Sequence, residues 1–184
     1  MVQCGFNTIV PALVFKLRIF ALYPLGNLTT GGYWSNGNGI GVLTSVPGYE
    51  PAVNATSIHM DDFNVVHSTG PYTLDANGLV QTDDGHVIGV HSKGLLSNTA
   101  SVRAILVNST DAAPTRWGEV DTLTTWSFQA SGKYEALTTA VFVANIQLMP
   151  SDDEDTVSYI NYRLSQVLPG PVCEDVDEEE ENEL

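Results

Sequence analysis

The turn Asp83-Asp84-Gly85 constrains the fold more than any other stretch of the chain. The runs on either side, Leu79–Thr82 and His86–His91, are rich in β-branched and apolar residues. A short loop that ends in glycine between two such runs predicts a β-hairpin. With a three-residue loop whose glycine is left-handed, Thr82 pairs with His86.

This register separates apolar from polar side chains on the two faces of the hairpin. One face carries Gly78, Val80, Ile88 and Val90, and the other carries Asp75, Asn77, Gln81, Gly89, His91 and Lys93. A two-residue turn at Asp84-Gly85 would mix apolar and polar residues on both faces. Since the buried face fixes the register, the three-residue loop is favoured. The cluster of Asp75, His91 and Lys93 is then expected on the solvent face.

Short segments of the same kind recur along the chain. With the hairpin they predict about ten strands: Leu13–Leu22, Ile40–Val46, Ser57–Met60, Phe63–His67, Val102–Val107, Thr122–Gln129, Tyr134–Val143, Ile146–Met149 and Val157–Val167. The glycine-rich stretch Gly31–Gly39 and the segment Asn108–Trp117 are interpreted as turns and loops. Sixteen glycines and nine prolines argue against long helices. The pattern therefore predicts an all-β antiparallel sandwich or barrel.

Charge is concentrated near the C-terminus. The chain has 22 acidic and 7 basic residues, a net charge of −15, but most of the excess lies in Asp152–Asp155 and in residues 173–184. We expect a β-barrel domain over residues 1–172 and an acidic, disordered tail over residues 173–184. The acidity excludes a nucleic-acid binder and disfavours an anionic membrane surface.

Compartment signals are few. No run of 18 or more apolar residues is present, and Met1–Leu22 lacks the features of a secretion signal. Three glycosylation sequons, at Asn27, Asn54 and Asn108, slightly favour the secretory pathway or an extracellular location, with the signal peptide absent from this chain. A cytoplasmic location is the alternative.

The chain has two cysteines, Cys4 and Cys173. In a closed barrel the first and last strands are neighbours, so a disulfide between these residues is one expectation, and two unrelated free thiols are the other.

Around the hairpin the sequence resembles a known β-barrel family. The blocks Leu74-Asp75-Ala76 and Thr82-Asp83-Asp84-Gly85, followed by Ile88, Val90 and Gly94, resemble the pattern L-D-A-R-Y-x-L-x-T-D-D-G-x-x-I-x-V-x-x-x-G. That pattern is typical of a family classed as a domain of unknown function with a lipocalin-like barrel. The resemblance covers most of residues 11–167 and implies a single antiparallel barrel of about 8–10 strands.

The departures from that pattern bear on the interior. Gly78 replaces a tyrosine of the family, and Ala136 and Thr138 replace a tryptophan and an asparagine. Loss of the two large rings, the tyrosine and the tryptophan, predicts an enlarged lumen that holds a bulky hydrophobic ligand, unless other aromatic residues refill it. The residues expected to line that lumen are Trp34, Gly78, Val80, Ile88, Trp126, Phe128, Tyr134 and Thr138.

Small, sequon-bearing barrels of this kind are also similar to fungal hetero-Diels–Alderases of tropolonic sesquiterpenoid biosynthesis. This resemblance implies a cofactor-free cyclase, whose main task is to hold the reacting groups together. If the diene arises by loss of water, one general acid is needed, and His67 is the first candidate and Asp62 the second. A non-catalytic lipocalin-like carrier of a small hydrophobic ligand is the alternative.

Other chemistry has little support in the sequence. No phosphate-binding loop, dinucleotide fingerprint, nucleophile elbow or zinc-protease motif occurs, so we expect neither a cofactor nor a metal. The predicted partner is a small hydrophobic substrate, a homodimer remains an open alternative, and the acidic tail could instead dock a basic partner.

Overall fold

The computed structural model describes residues 4–29, 31–67 and 70–173 and forms a closed barrel of eight antiparallel strands. The strands follow one another around the barrel in chain order, and the last pairs with the first. Residues 174–184, which make up nearly all of the predicted acidic tail, lie outside the described residues. The strands are β1 (Thr8–Asn27), β2 (Tyr33–Ser45), β3 (Asn54–Val66), β4 (Tyr72–Thr82), β5 (Val87–Leu96), β6 (Thr122–Gln129), β7 (Val141–Pro150) and β8 (Ser158–Leu168).

Side chains alternate between the interior and the outer surface. In β6 buried and exposed residues alternate without exception from Thr122 to Gln129. The inward side chains form one core, in which Phe15, Phe128 and Phe142 are among the largest fully buried groups. This period of two gives each strand one apolar face, and pairing of β8 with β1 turns those faces into a closed interior. The predicted all-β barrel is confirmed.

The hairpin between β4 and β5 has the predicted register. The Thr82 N–H donates to the His86 carbonyl at 2.9 Å, and Gly85 adopts a φ of +88° in the three-residue loop. Val80 pairs with Ile88, and both are fully buried. The three-residue loop and its apolar inner face are therefore confirmed.

The predicted segments around β2 and β3 differ from the strands of the barrel. Ser57–Met60 and all but the last residue of Phe63–His67 belong to one strand, β3, whose pairing with β4 shifts between Ser57 and His59. The prediction of a turn over Gly31–Gly39 is correct for Gly31 and Gly32, which have positive φ, and wrong from Tyr33 onward, where β2 begins and pairs with β1 through Gly37 and Gly39. Glycine here permits close strand approach: a Cβ on Gly41 would collide with the Lys16 carbonyl.

Two predicted strands are instead helical. The segment Val102–Val107 lies largely in α1 (Ala100–Leu106), which begins where the Thr99 hydroxyl accepts a hydrogen bond from the Val102 N–H at 3.2 Å. This cap overrides the strand preference of the β-branched residues. The start of the predicted strand Tyr134–Val143 forms a 3₁₀ turn (Gly132–Tyr134) and α2 (Ala136–Thr139), and only its last residues enter β7.

A disulfide joins Cys4 to Cys173, whose Cα atoms are 4.9 Å apart. Close to it, the Gly5 N–H donates to the Pro171 carbonyl at 3.0 Å. The bond ties together the chain segments that enter β1 and leave β8, which are neighbours in the closed barrel.

The outer surface carries all three sequon asparagines, Asn27, Asn54 and Asn108, as exposed side chains. No helix among residues 4–29, 31–67 and 70–173 has the length and apolar composition needed to cross a membrane.

Candidate active site

One half of the barrel interior encloses a cavity of about 310 Å³. Its rim is formed by the β1–β2 hairpin, where Leu22 and Tyr33 remain partly exposed, and by Val107, which follows α1. Most of the wall is aliphatic or aromatic, with a small number of polar side chains. The lining consists of Ile19, Leu22, Pro24, Tyr33, Ser35, Gly37, Asp62, Asn64, Val66, Tyr72, Leu74, Leu96, Leu106, Val107, Ile146, Leu148, Ser158, Ile160 and Tyr162.

The other half of the barrel is filled by side chains. Val80, Ile88 and Phe128, three of the residues predicted to line the lumen, are 0–1% exposed and belong to this packed core. Gly78 faces inward as expected, but a Cβ there would collide with the Met60 sulfur. The space left by the missing tyrosine is therefore occupied by Met60, and it adds nothing to the cavity.

Trp126 lies at the boundary between the packed half and the cavity. Its ring contacts Tyr162 edge-on with centroids 4.8 Å apart and contacts Phe15 at 6.0 Å. The indole N–H donates to the Thr124 hydroxyl at 2.9 Å. Trp126 does not line the cavity itself, but it packs against Tyr162, which does.

The remaining predicted ligand contacts lie away from the cavity. Trp34 is on the outside of the barrel, where it packs against Phe63 with centroids 5.9 Å apart. Tyr134 closes the packed end, and its hydroxyl lies 3.3 Å from an Asp84 carboxylate oxygen. Thr138 is exposed. Its hydroxyl accepts a hydrogen bond from the Ala130 N–H and donates one to the Ala130 carbonyl, so it holds the segment after β6 in place.

Among the side chains that line the cavity, Asp62 is the one best suited to acid–base chemistry. It faces inward from β3, opposite Gly37 on β2, and one of its carboxylate oxygens accepts the Asp75 backbone N–H at 3.2 Å. Burial raises the pKa of Asp62 to about 6, against the opposing effect of hydrogen bonds from that N–H and from the Asn64 side chain. The carboxyl is therefore largely protonated in mildly acidic solution, and a neutral carboxyl can donate a proton.

Tyr162 shares the cavity with this carboxyl. Burial raises the pKa of the Tyr162 hydroxyl far above its ordinary value, and the nearby negative charge of Asp62 raises it further. The phenol consequently remains a neutral hydrogen-bonding group over the whole physiological range.

His67, the first candidate acid, does not line the cavity. It follows the last residue of β3, and its backbone carbonyl accepts a hydrogen bond from the Asn98 side chain. Its ring lies near Gly32 in the β1–β2 connection. The two candidate acids are thus separated, and only Asp62 has access to the enclosed space.

Sequence reasoning missed the polar residues beside Asp62. Asn64 lies two residues further along β3, and Ser35 is its partner on β2. Alternation from Asp62 would have placed Asn64 on the same face, but a turn was predicted over Ser35. Together with Asp62 they form the polar wall of the cavity, defined as Ser35, Asp62 and Asn64.

Two other charged clusters lie on the outside. Asp75 pairs with His91 at 3.1 Å and with Lys93 at 3.3 Å. Partial burial opposes ionisation, but the hydrogen bonds from His91 and Lys93 outweigh it and hold the pKa of Asp75 below its ordinary value. This cluster faces solvent, as the hairpin register predicts.

Asp84 belongs to the second cluster, at the packed end, where it pairs with Lys133 at 2.5 Å and hydrogen-bonds the Thr82 hydroxyl at 2.6 Å. These contacts hold its pKa well below the ordinary value. Within the described ranges, no three His, Cys, Asp or Glu side chains are grouped closely enough to hold a metal ion.

Several solved structures share this fold at low sequence identity. A conserved protein of unknown function from Rhodopseudomonas palustris is 16% identical, with a TM-score of 0.71 over 89% of this chain and 99% of that one. A β-barrel-like protein from Acinetobacter baumannii is 19% identical, with a TM-score of 0.66 over 91% and 100% of the two chains. An enzyme from Penicillium herquei is 13% identical, with a TM-score of 0.52 over 89% and 97%.

The curated proteins contain no match to this sequence. One family model does match, over residues 25–167, which include the L-D-A and T-D-D-G blocks and all of the polar wall. Its description is "protein of unknown function (DUF3237)", and this chain belongs to that family.

Proposed function

We propose that this protein is a cofactor-free cyclase that binds a compact, mostly apolar molecule in the barrel cavity and uses Asp62 as its general acid. The observation that carries the proposal is a carboxyl with a pKa of about 6 in a cavity lined mainly by hydrocarbon. Strongly perturbed acids inside clefts are typical of catalytic sites.

The chemistry requires one proton donor and a shaped enclosure. Protonated Asp62 donates to a hydroxyl of the substrate, the carbon–oxygen bond breaks, and water leaves together with that proton. The Asp62 carboxylate then accepts the proton of a phenolic oxygen, which regenerates the acid and leaves a neutral quinone methide, a reactive diene. An alkene held against it then closes the ring by cycloaddition, and orientation alone can supply about 7–11 kcal/mol in favourable cases.

The cavity size narrows the substrate class. At about 310 Å³ it lies at the lower end of the range for small-molecule pockets. The packed half of the barrel leaves no second chamber beside Val80, Ile88 and Phe128. A substrate built on one or two rings therefore fits this proposal better than the bulky ligand expected from the sequence.

A model reaction tests the proposal. 2-Hydroxybenzyl alcohol loses water to give an ortho-quinone methide, and addition of ethyl vinyl ether gives 2-ethoxychroman, which has one stereocentre. We expect the protein to accelerate chroman formation and to give an enantiomeric excess measurable by chiral chromatography. Asp62→Asn should return the product to the racemic mixture. The control is Asp61→Asn. Asp61 is the next residue along β3 and pairs with Asn38 on the outer surface, so this variant should keep the enantiomeric excess.

A racemic product formed at the uncatalysed rate would contradict the cyclase. If the protein nonetheless bound 2-hydroxybenzyl alcohol saturably, the result would favour the lipocalin-like carrier. The aliphatic wall around Ile146, Leu148 and Ile160 supports binding in either role, so stereochemistry is the discriminating measurement.

A further inference from the structure

The polar groups of the cavity are distributed unevenly around its wall. Ser35, Asp62 and Asn64 are all half-buried and face inward from the adjacent strands β2 and β3. Across the cavity, β7 and β8 contribute mainly aliphatic side chains such as Leu148 and Ile160. The enclosed space therefore has one polar side and one hydrocarbon side.

Ser158 and Tyr162 on β8 do not change this asymmetry. Ser158 is 0% exposed, and its hydroxyl has no hydrogen-bond partner among the described residues. Tyr162 is 4% exposed. The Ser158 hydroxyl is buried, and the Tyr162 hydroxyl lies close enough to Asp62 for that charge to raise its pKa, so it belongs to the polar side of the cavity. The polar wall retains surface that a ligand can contact.

The register places the polar wall within the span of a single small ring. Ser35 is paired directly with Asn64, and such cross-strand neighbours have Cα atoms about 4.5–5.5 Å apart. Asp62 is the next inward residue on β3, about 6.6 Å away along the strand. The Asn64 side chain also hydrogen-bonds towards Asp62, donating to its backbone carbonyl at 3.2 Å, so the amide and carboxyl are adjacent.

We propose that the substrate carries two oxygen functions on one edge of its ring system, and that Asp62, Asn64 and Ser35 bind both of them. The opposite edge is unsubstituted hydrocarbon and lies against β7 and β8. One oxygen accepts the Asp62 proton, and the second is held by Asn64 and Ser35. Oxygens at opposite ends of a ring point in opposite directions, so one of them would lose its hydrogen bonds against the aliphatic wall. This inference rests on the proposed function of the cavity and specifies its ligand.

Isomers of hydroxybenzyl alcohol test the arrangement without changing size or functional groups. We expect 2-hydroxybenzyl alcohol to bind at least fivefold more tightly than 4-hydroxybenzyl alcohol at pH 5, below the pKa of Asp62. Leaving the alkene out of the NMR titrations excludes the cycloaddition step from the measured dissociation constants. Ser35→Ala combined with Asn64→Leu should reduce the preference to less than twofold.

Matched substitutions on the outer surface provide the control. Ser127→Ala and Asn77→Leu make the same changes at exposed positions and should keep the fivefold preference. Equal binding of the two isomers, or tighter binding of the 4-hydroxy isomer, would overturn the inference. The second result would instead favour a two-ended site that uses Ser158.

The outcome is separable from that of the proposed function. A preference for the 2-hydroxy isomer with racemic chroman product would support the polar-edge site and contradict the cyclase. Enantiomerically enriched chroman without any preference between the isomers would support the cyclase and contradict the polar-edge site.

Discussion

Replacing Asp62 by asparagine should stabilise the barrel at neutral pH. In the unfolded chain the Asp62 carboxyl has its ordinary pKa of 3.8, and in the cavity burial raises that pKa to about 6. As the pH rises from 4 to 6, the unfolded chain releases a proton that the folded chain retains. The free energy of unfolding therefore falls over this interval and levels off above pH 7.

The magnitude follows from the pKa difference. One pKa unit corresponds to about 1.4 kcal/mol, so the ionised carboxyl costs the folded state about 2–3 kcal/mol above pH 7. Asparagine keeps an oxygen that can accept the Asp75 N–H but cannot ionise. The stability of Asp62→Asn relative to the native protein should consequently rise by about 2–3 kcal/mol between pH 4 and pH 8.

Urea unfolding at a series of pH values, with the disulfide intact, measures this difference directly. At pH 8 the variant should also melt about 5–10 °C above the native protein, given about 2–4 °C per kcal/mol for a chain of this size. Asp61→Asn removes a charge from the adjacent outward position and should show no comparable rise. A difference between Asp62→Asn and the native protein that stays constant from pH 4 to pH 8 would refute the assignment of a buried, neutral carboxyl.

Three further predictions concern residues outside the cavity. Gly78→Ala should lower the free energy of unfolding by about 1–3 kcal/mol, because its Cβ collides with Met60; unchanged urea unfolding would contradict this close packing. Replacing Cys4 and Cys173 by serine should cost about 4–5 kcal/mol in the chain-entropy model, and an unchanged unfolding midpoint would show that the bond constrains little. Trp34→Ala should leave the affinity for 2-hydroxybenzyl alcohol within twofold, whereas a tenfold loss would place the ligand on the outer surface.

Local pattern was sufficient to predict the β4–β5 hairpin in detail. Face segregation and turn chemistry select the same register there, and Val80 does pair with Ile88. The local pattern wrongly predicts a strand at α1, where the helix cap at Thr99 outweighs the strand preference of the β-branched residues. It failed also for the start of β2, because glycines that allow close strand packing have the same composition as glycines in a turn.

The cavity could be predicted less well than the fold. The sequence indicates which residues face inward, but not which half of the barrel they fill. Met60 occupies the space beside Gly78 because of the pairing shift in β3, a feature that no local pattern indicates. Asp62 was identified as a candidate acid by residue type, and its enclosure among hydrocarbon side chains emerges only when β2, β3 and β8 close around it.

A structural role alone does not account for the carboxyl of Asp62. Its hydrogen bond to the Asp75 N–H needs only an acceptor, which an asparagine at the same position would supply without an ionisable group. The carboxyl instead costs the folded protein stability at neutral pH, since burial disfavours its charged form. Below about pH 6, where the carboxyl keeps its proton, it provides a proton donor inside a largely apolar enclosure, where water competes poorly for that proton. A loss of stability that supplies a proton donor is the relation expected of a catalytic acid, and the opposite effects predicted for Asp62→Asn on stability and on stereochemical control test that relation in one variant.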